Sequence, residues 1–192
     1  MNNLTLNDRY AYIKEALLKA EGKDPVKILH EVASNDFVFI HGPEHHFLDG
    51  GAFLAALHNA GMEFDLGAYL DALAERTMKM PGAMCGYWGV CGSVASLGAA
   101  FSLLEKTGPL SVDEAYADHL DFTSSCLARM AKIGGPRCCK RNAFLVLEEA
   151  IRHVKKRFGI SLDRQVPIVC DFFPRNRECK KEQCPFYPRG ME

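Results

Sequence analysis

The chain has 192 residues, 48% of them apolar and 24% charged, with a formal net charge of −1. That is the profile of one soluble globular domain able to bury a core, and it excludes a general nucleic-acid binder, which needs a basic excess or stripe. The N-terminal residues lack the basic and apolar regions of a secretory signal, so a cytoplasmic location is expected, where eight cysteines read as metal ligands or reactive thiols rather than disulfides.

The apolar spacing of Tyr10, Ile13 and Leu17 predicts an amphipathic helix over 8–21, closed by Gly22. Asp24-Pro25 then supplies an N-cap and a first-turn proline for a short helix through Val26, Leu29 and Val32. Phe37-Val38-Phe39-Ile40 is a short β-prone run. It leads into His41-Gly42-Pro43-Glu44-His45-His46, in which three histidines and a glutamate offer ligands or proton carriers at neutral pH. No His-Glu-x-x-His pattern is present; the competing expectation is a loop whose histidines cap a helix following Asp49.

Asp65 is expected to cap a helix through Leu66, Leu70 and Leu73 that ends before Pro81. Residues 80–104 form the longest uncharged run. Its glycines and serines dilute the hydrophobicity and no basic flank follows, so it reads as a buried small-residue helix and not a membrane span. Cys85 falls in the loop before that helix and Cys91 at its start, beside Tyr87 and Trp88. Ser111-x-x-Glu114 has the form of a capping box opening a helix to about Lys132, on whose apolar stripe Cys126 lies as a core residue.

Gly134-Gly135-Pro136-Arg137-Cys138-Cys139-Lys140-Arg141 delivers two adjacent cysteines to the start of a long helix defined by Phe144, Leu147, Ile151, Val154 and Phe158. The helix N-terminus and three cationic side chains are expected to push these thiols towards thiolate. Lys155, Lys156, Arg157, Lys180 and Lys181 read as solvated surface. Val166-Pro167-Ile168-Val169 is a second short extended run, followed by a loop-like tail carrying Cys170, Cys179 and Cys184. That tail has too few spaced apolar residues to fold alone, and shared metal would pin it.

The tail spacing, Cys-x8-Cys-x4-Cys, lacks the paired knuckles of a zinc ribbon. Thiolates gathered from separate loops suit an iron–sulfur cluster, the favoured cofactor, with Cys138 or Cys139 as the fourth ligand and zinc as the alternative. Cys85, Cys91, His41, Glu44 and His45 are then the candidate catalytic residues. A thiol–disulfide or persulfide carrier is also open, although neither cysteine pair is Cys-x-x-Cys.

Taken together, the motifs at 41–46, 85–92 and 134–141, with Asn176-Arg177-Glu178-Cys179 and Cys184-Pro185-Phe186-Tyr187, resemble an uncharacterised cysteine-rich domain family of bacteria and archaea that is sometimes joined to methyltransferase-like modules. The resemblance spans about residues 36–187. It implies that the motifs surround one site, plausible partners being a methyltransferase or a redox protein; no such module lies within these 192 residues.

The resulting expectation is a mainly α, single helical domain with short extended segments and a cysteine-rich C-terminal loop: N-terminal helices over 1–35, a helical core over 36–160, and the tail of 161–192 packed on it. Its expected function is metal binding on Cys138, Cys139, Cys170, Cys179 and Cys184, with an enzyme of sulfur-transfer, redox or methyl-group chemistry acting on a small-molecule or sulfur-bearing substrate. The alternative is a structural-zinc or metal-carrier module, with neither nucleic acid nor membrane as partner.

Overall fold

A computed structural model describes residues 4–189 as an all-helical single domain. Its helices are α1 (Leu6–Leu18), α2 (Pro25–Ala33), α3 (His45–Asn59), α4 (Leu66–Thr77), the single-turn α5 (Met84–Tyr87), α6 (Gly92–Glu105), α7 (Glu114–Ile133) and α8 (Cys139–Phe158). Among the described residues no strand forms. Residues 37–40 and 166–169 are coil because neither run finds a pairing edge, and Cys170 is tied by one backbone bond, donated to Phe186 O at 2.8 Å.

Local cap chemistry sets most helix starts. Thr5 and Asp8 form a capping box for α1, Asp24 accepts from the Val26 and Lys27 N–H groups ahead of α2, and Asp65 accepts from Ala68 N–H ahead of α4. The box expected at Ser111 is absent: Ser111 Oγ accepts from Gly108 N–H at 2.9 Å, closing the preceding turn, and Asp113 is the N-cap of α7. Nor does a capping loop lead to a helix after Asp49. His45 and His46 already stand inside α3, which begins at His45.

The core is organised on α3, buried on every face from His45 to Leu57. It packs most extensively on α6, and Gly50 is where the two approach: its N–H donates to Ser96 Oγ at 2.8 Å, and a Cβ there would collide with that oxygen. Phe53, Phe101 and Phe122 pack ring against ring in series between α3, α6 and α7, the first pair tilted and the second edge-on, each burial worth about 1.5–3 kcal/mol.

Residues 161–189 lie across α2, α8 and the end of α7. Gln165 N–H donates to Asp24 Oδ2 at 2.7 Å, His30 pairs with Asp171 at 2.7 Å, and Phe186 packs edge-on against Phe144. Lys180, expected as free surface, donates to Ile133 O and Gly135 O, stapling the tail to the loop before α8.

Candidate functional site

Cys138 and Cys139 stand at the junction of two cavities where α8 begins: both line the larger one, and Cys138 also lines the smaller. Cys138 is the N-cap, its sulfur accepting from Arg141 N–H at 3.4 Å. It lines a small pocket with Cys170, Cys179 and Cys184. Phe172 and Phe186 form the apolar wall, Lys140, Arg141 and Lys180 bring positive charge, and no carboxylate lines the space. The enclosed volume is about 20 Å³, room for a group the size of a water molecule and not for an organic ligand.

Two N–H groups besides that of Arg141 point at these sulfurs: Asn176 Nδ2 donates to Cys138 Sγ at 3.6 Å and Lys181 N–H donates to Cys179 Sγ at 3.3 Å. Such bonds favour thiolate, yet burial outweighs them. Desolvation holds the Cys138 thiol above the ordinary range and pushes Cys170 up to about 11. The expected drift towards thiolate at the helix start is therefore overturned for Cys138, and for Cys139, which burial pushes up to about 12. A positive helix end does not compensate for losing water around the sulfur. Metal binding at any of these thiols would draw off its proton, because the ligating form is the thiolate.

Among the described residues, no group of three or more His, Cys, Asp or Glu is placed to hold a single metal ion. The four sulfurs share a pocket without converging on one point.

Cys139 lines only the larger cavity, of about 280 Å³, together with Cys138, His41, His45, His46, Cys85 and Cys91. His41 joins the two sides. Its Nδ1 accepts from Cys139 N–H at 3.5 Å, so the proton sits on Nε2, which donates to Asn176 Oδ1 at 3.1 Å; Asn176 in turn donates to Cys138. Burial is the main reason the His41 ring resists protonation. Cys91 caps α6 and its sulfur accepts from Asn142 Nδ2 at 3.3 Å, while burial raises its thiol pKa.

Of Glu44 and His45, only His45 lines the cavity beyond Cys139. Glu44 lines none of these cavities; its Oε1 accepts from Phe39 N–H at 2.6 Å inside its own turn. His45, 1% exposed, donates through Nδ1 to Asp49 Oδ1 at 3.1 Å and accepts at Nε2 from Lys140 Nζ at 2.8 Å. This tautomer follows from the ammonium having only protons to offer. Lys140 also donates to Phe39 O at 3.2 Å, and its burial depresses the ammonium pKa to about 8.

Sequence reasoning took Lys140 as a cation beside the cysteines and overlooked Asn142. The available signal was position: Asn142 stands one turn after Cys139 on a helix, where asparagine is a poor helix former.

The fold and site define an all-α protein with a four-thiol pocket on one side of a helix start and a histidine- and cysteine-lined cavity on the other. The chain belongs to the family described as "Family of unknown function (DUF5714)", whose model matches residues 13–187. Among curated proteins and among solved structures, no match to the chain is found. No helix of the described residues is long and apolar enough to cross a membrane.

Proposed function

We propose that the pocket formed by Cys138, Cys170, Cys179 and Cys184 holds an iron–sulfur cluster, and that the protein is an enzyme of redox, sulfur-transfer or methyl-group chemistry whose reaction face is the cavity beyond Cys139. The observation that carries this reading is the donor set: one cysteine before α8 and three from the tail line one apolar pocket that contains no carboxylate. An all-thiol set with positive charge around it suits a thiolate-bound iron cluster, whose net negative charge those cations would offset.

The order of the cysteines along the chain favours a cluster over zinc: Cys170, Cys179 and Cys184 are spaced without the paired knuckles of a zinc ribbon, and thiolates from separate segments suit iron–sulfur ligation. Three of the four thiols sit in coil flanking two single 3-10 turns, Phe173–Arg175 and Lys181–Gln183, so seating a group larger than the present space requires moving loop and not α-helix. When bound, such a cluster supplies one-electron transfer or a Lewis-acidic iron. Cys138 belongs to this pocket and Cys139 does not, which leaves Cys139, Cys91, Cys85 and His41 facing the reaction side.

The test is to purify the protein under nitrogen and assay iron, acid-labile sulfide and zinc. Iron and sulfide in equal amounts, with broad visible absorption, are expected. A colourless protein loaded with stoichiometric zinc would replace this reading with a structural-zinc module; a metal-free protein of unchanged stability would leave ordinary thiols.

A further inference from the structure

The cavity beyond Cys139 does not end there. It shares Cys85, Cys91, Arg137 and Asn142 with a wider outer cavity of about 930 Å³ between the α5 turn and the C-terminal half of α7. We propose that this continuous cleft binds a small organic anion, its apolar body lying along α7 and its anionic group held by Arg137 beside Cys91. The inference deepens the reading above, on which it rests only in giving the reaction face a substrate class.

Size, polarity and charge each point the same way. The two volumes together are those of a small-molecule site, not of a water pocket. The outer wall is apolar where Leu127, Ala128 and Met130 of α7 face Tyr87. Neither cavity is lined by a single carboxylate, yet Arg137 is exposed at the rim of both. A guanidinium with no counter-charge in either wall attracts a carboxylate or phosphate and can bind it through two parallel bonds.

The loop holds that cation in place. Arg141, 5% exposed, donates to Gly134 O at 3.1 Å and Pro136 O at 3.0 Å, so one arginine braces the turn from which the other projects. At the inner end, His46 is 7% exposed and its Nδ1 has no hydrogen-bond partner. A polar atom buried without a partner is costly unless a ligand satisfies it. His46 comes this close because residue 92 is glycine: a Cβ there would overlap the imidazole ring.

The test uses 1-anilinonaphthalene-8-sulfonate, an apolar body with one negative charge, titrated into the full chain as purified under nitrogen. Trp88 is the chain's one tryptophan and adjoins Tyr87 of the cleft wall, so probe bound in the cleft should quench its emission by energy transfer. Single-site binding is expected, weakened tenfold or more by Arg137→Gln and by Ala128→Glu, both at exposed positions. The uncharged N-phenyl-1-naphthylamine should bind wild type and Arg137→Gln alike, and competition by hexanoate against hexyl phosphate separates a carboxylate from a phosphate ligand. Circular dichroism checks that each variant is folded. Failure of the folded protein to bind the sulfonate, or affinity unmoved by both substitutions, overturns the proposal. Cys184→Ser separates the two readings: it should bind the probe like wild type while losing iron, and a wild type free of iron that still binds as stated removes the cluster and keeps the cleft.

Discussion

Lys140 Nζ lies 2.8 Å from His45 Nε2, and through that ring the ammonium is linked to Asp49, a carboxylate with no exposure to solvent. A buried charge pair relayed by a neutral imidazole is stable only while all three members are present. Lys140→Met should therefore cost about 3–5 kcal/mol by leaving Asp49 uncompensated. Adding Asp49→Asn should recover part of that loss. Urea unfolding midpoints with an unchanged denaturant slope would measure both.

Gly92 and His46 make a second coupled pair, since a methyl group at residue 92 would occupy the space of the imidazole. Gly92→Ala should destabilise by about 1–3 kcal/mol through overpacking. In the His46→Ala background the same change should cost much less, so a double-mutant cycle should return a clear coupling energy. Additive costs would mean that the ring moves aside freely.

Acid should weaken the α6–α7–α8 side of the core. His153 packs edge-on against Phe101 at 4.9 Å, and burial is the main reason its pKa is lowered, with Lys156 and Arg157 adding to it against Asp118 and Glu105. A lowered native pKa means that the unfolded chain binds more protons below about pH 6.5, so stability falls as pH drops through that range. Melting temperature should decline from pH 7 to pH 5, and His153→Phe should flatten the decline. His119, lowered for the same leading reason, should leave a residual slope.

Thiol reactivity should separate the cysteines by burial. Cys126 is 1% exposed and its thiol is pushed up to about 12, so it should resist iodoacetamide until the protein unfolds. Cys85, on the α5 turn at the cleft, should be modified in the native protein. Peptide mass mapping over time gives the order.

Where local chemistry decides the outcome, the sequence was a sufficient guide. Asp24-Pro25 and Asp65 open helices because their side chains bond to backbone within three residues. The α8 periodicity finds Phe144, Leu147 and Val154 in the core, but not that every residue from Lys140 to Leu147 is buried. The tail, poor in apolar residues, is held by Asp24, His30 and Phe144. What escaped depends on distant neighbours. The thiols at the start of α8 have the predicted cations beside them, yet desolvation by residues from the tail and α3 dominates. Lys180 reads as surface until the carbonyls of Ile133 and Gly135 arrive from 45–47 positions away. Glu44 is buried in its own turn, where Oε1 accepts from Phe39 N–H and Oε2 has no hydrogen-bond partner, a placement set by neighbours that no spacing shows. Which of Cys138 and Cys139 faces the tail is a matter of one residue in helix phase, and no periodicity argument resolves it.

The most direct test of the central claim is the iron content of the eight single Cys→Ser variants, each purified under nitrogen and checked for folding. Cys138→Ser, Cys170→Ser, Cys179→Ser and Cys184→Ser should each lose iron and visible absorption, while substitutions at Cys85, Cys91, Cys126 and Cys139 should retain both. Iron retained in full by Cys138→Ser, or lost from Cys139→Ser in its place, would contradict the assignment of the four-thiol pocket.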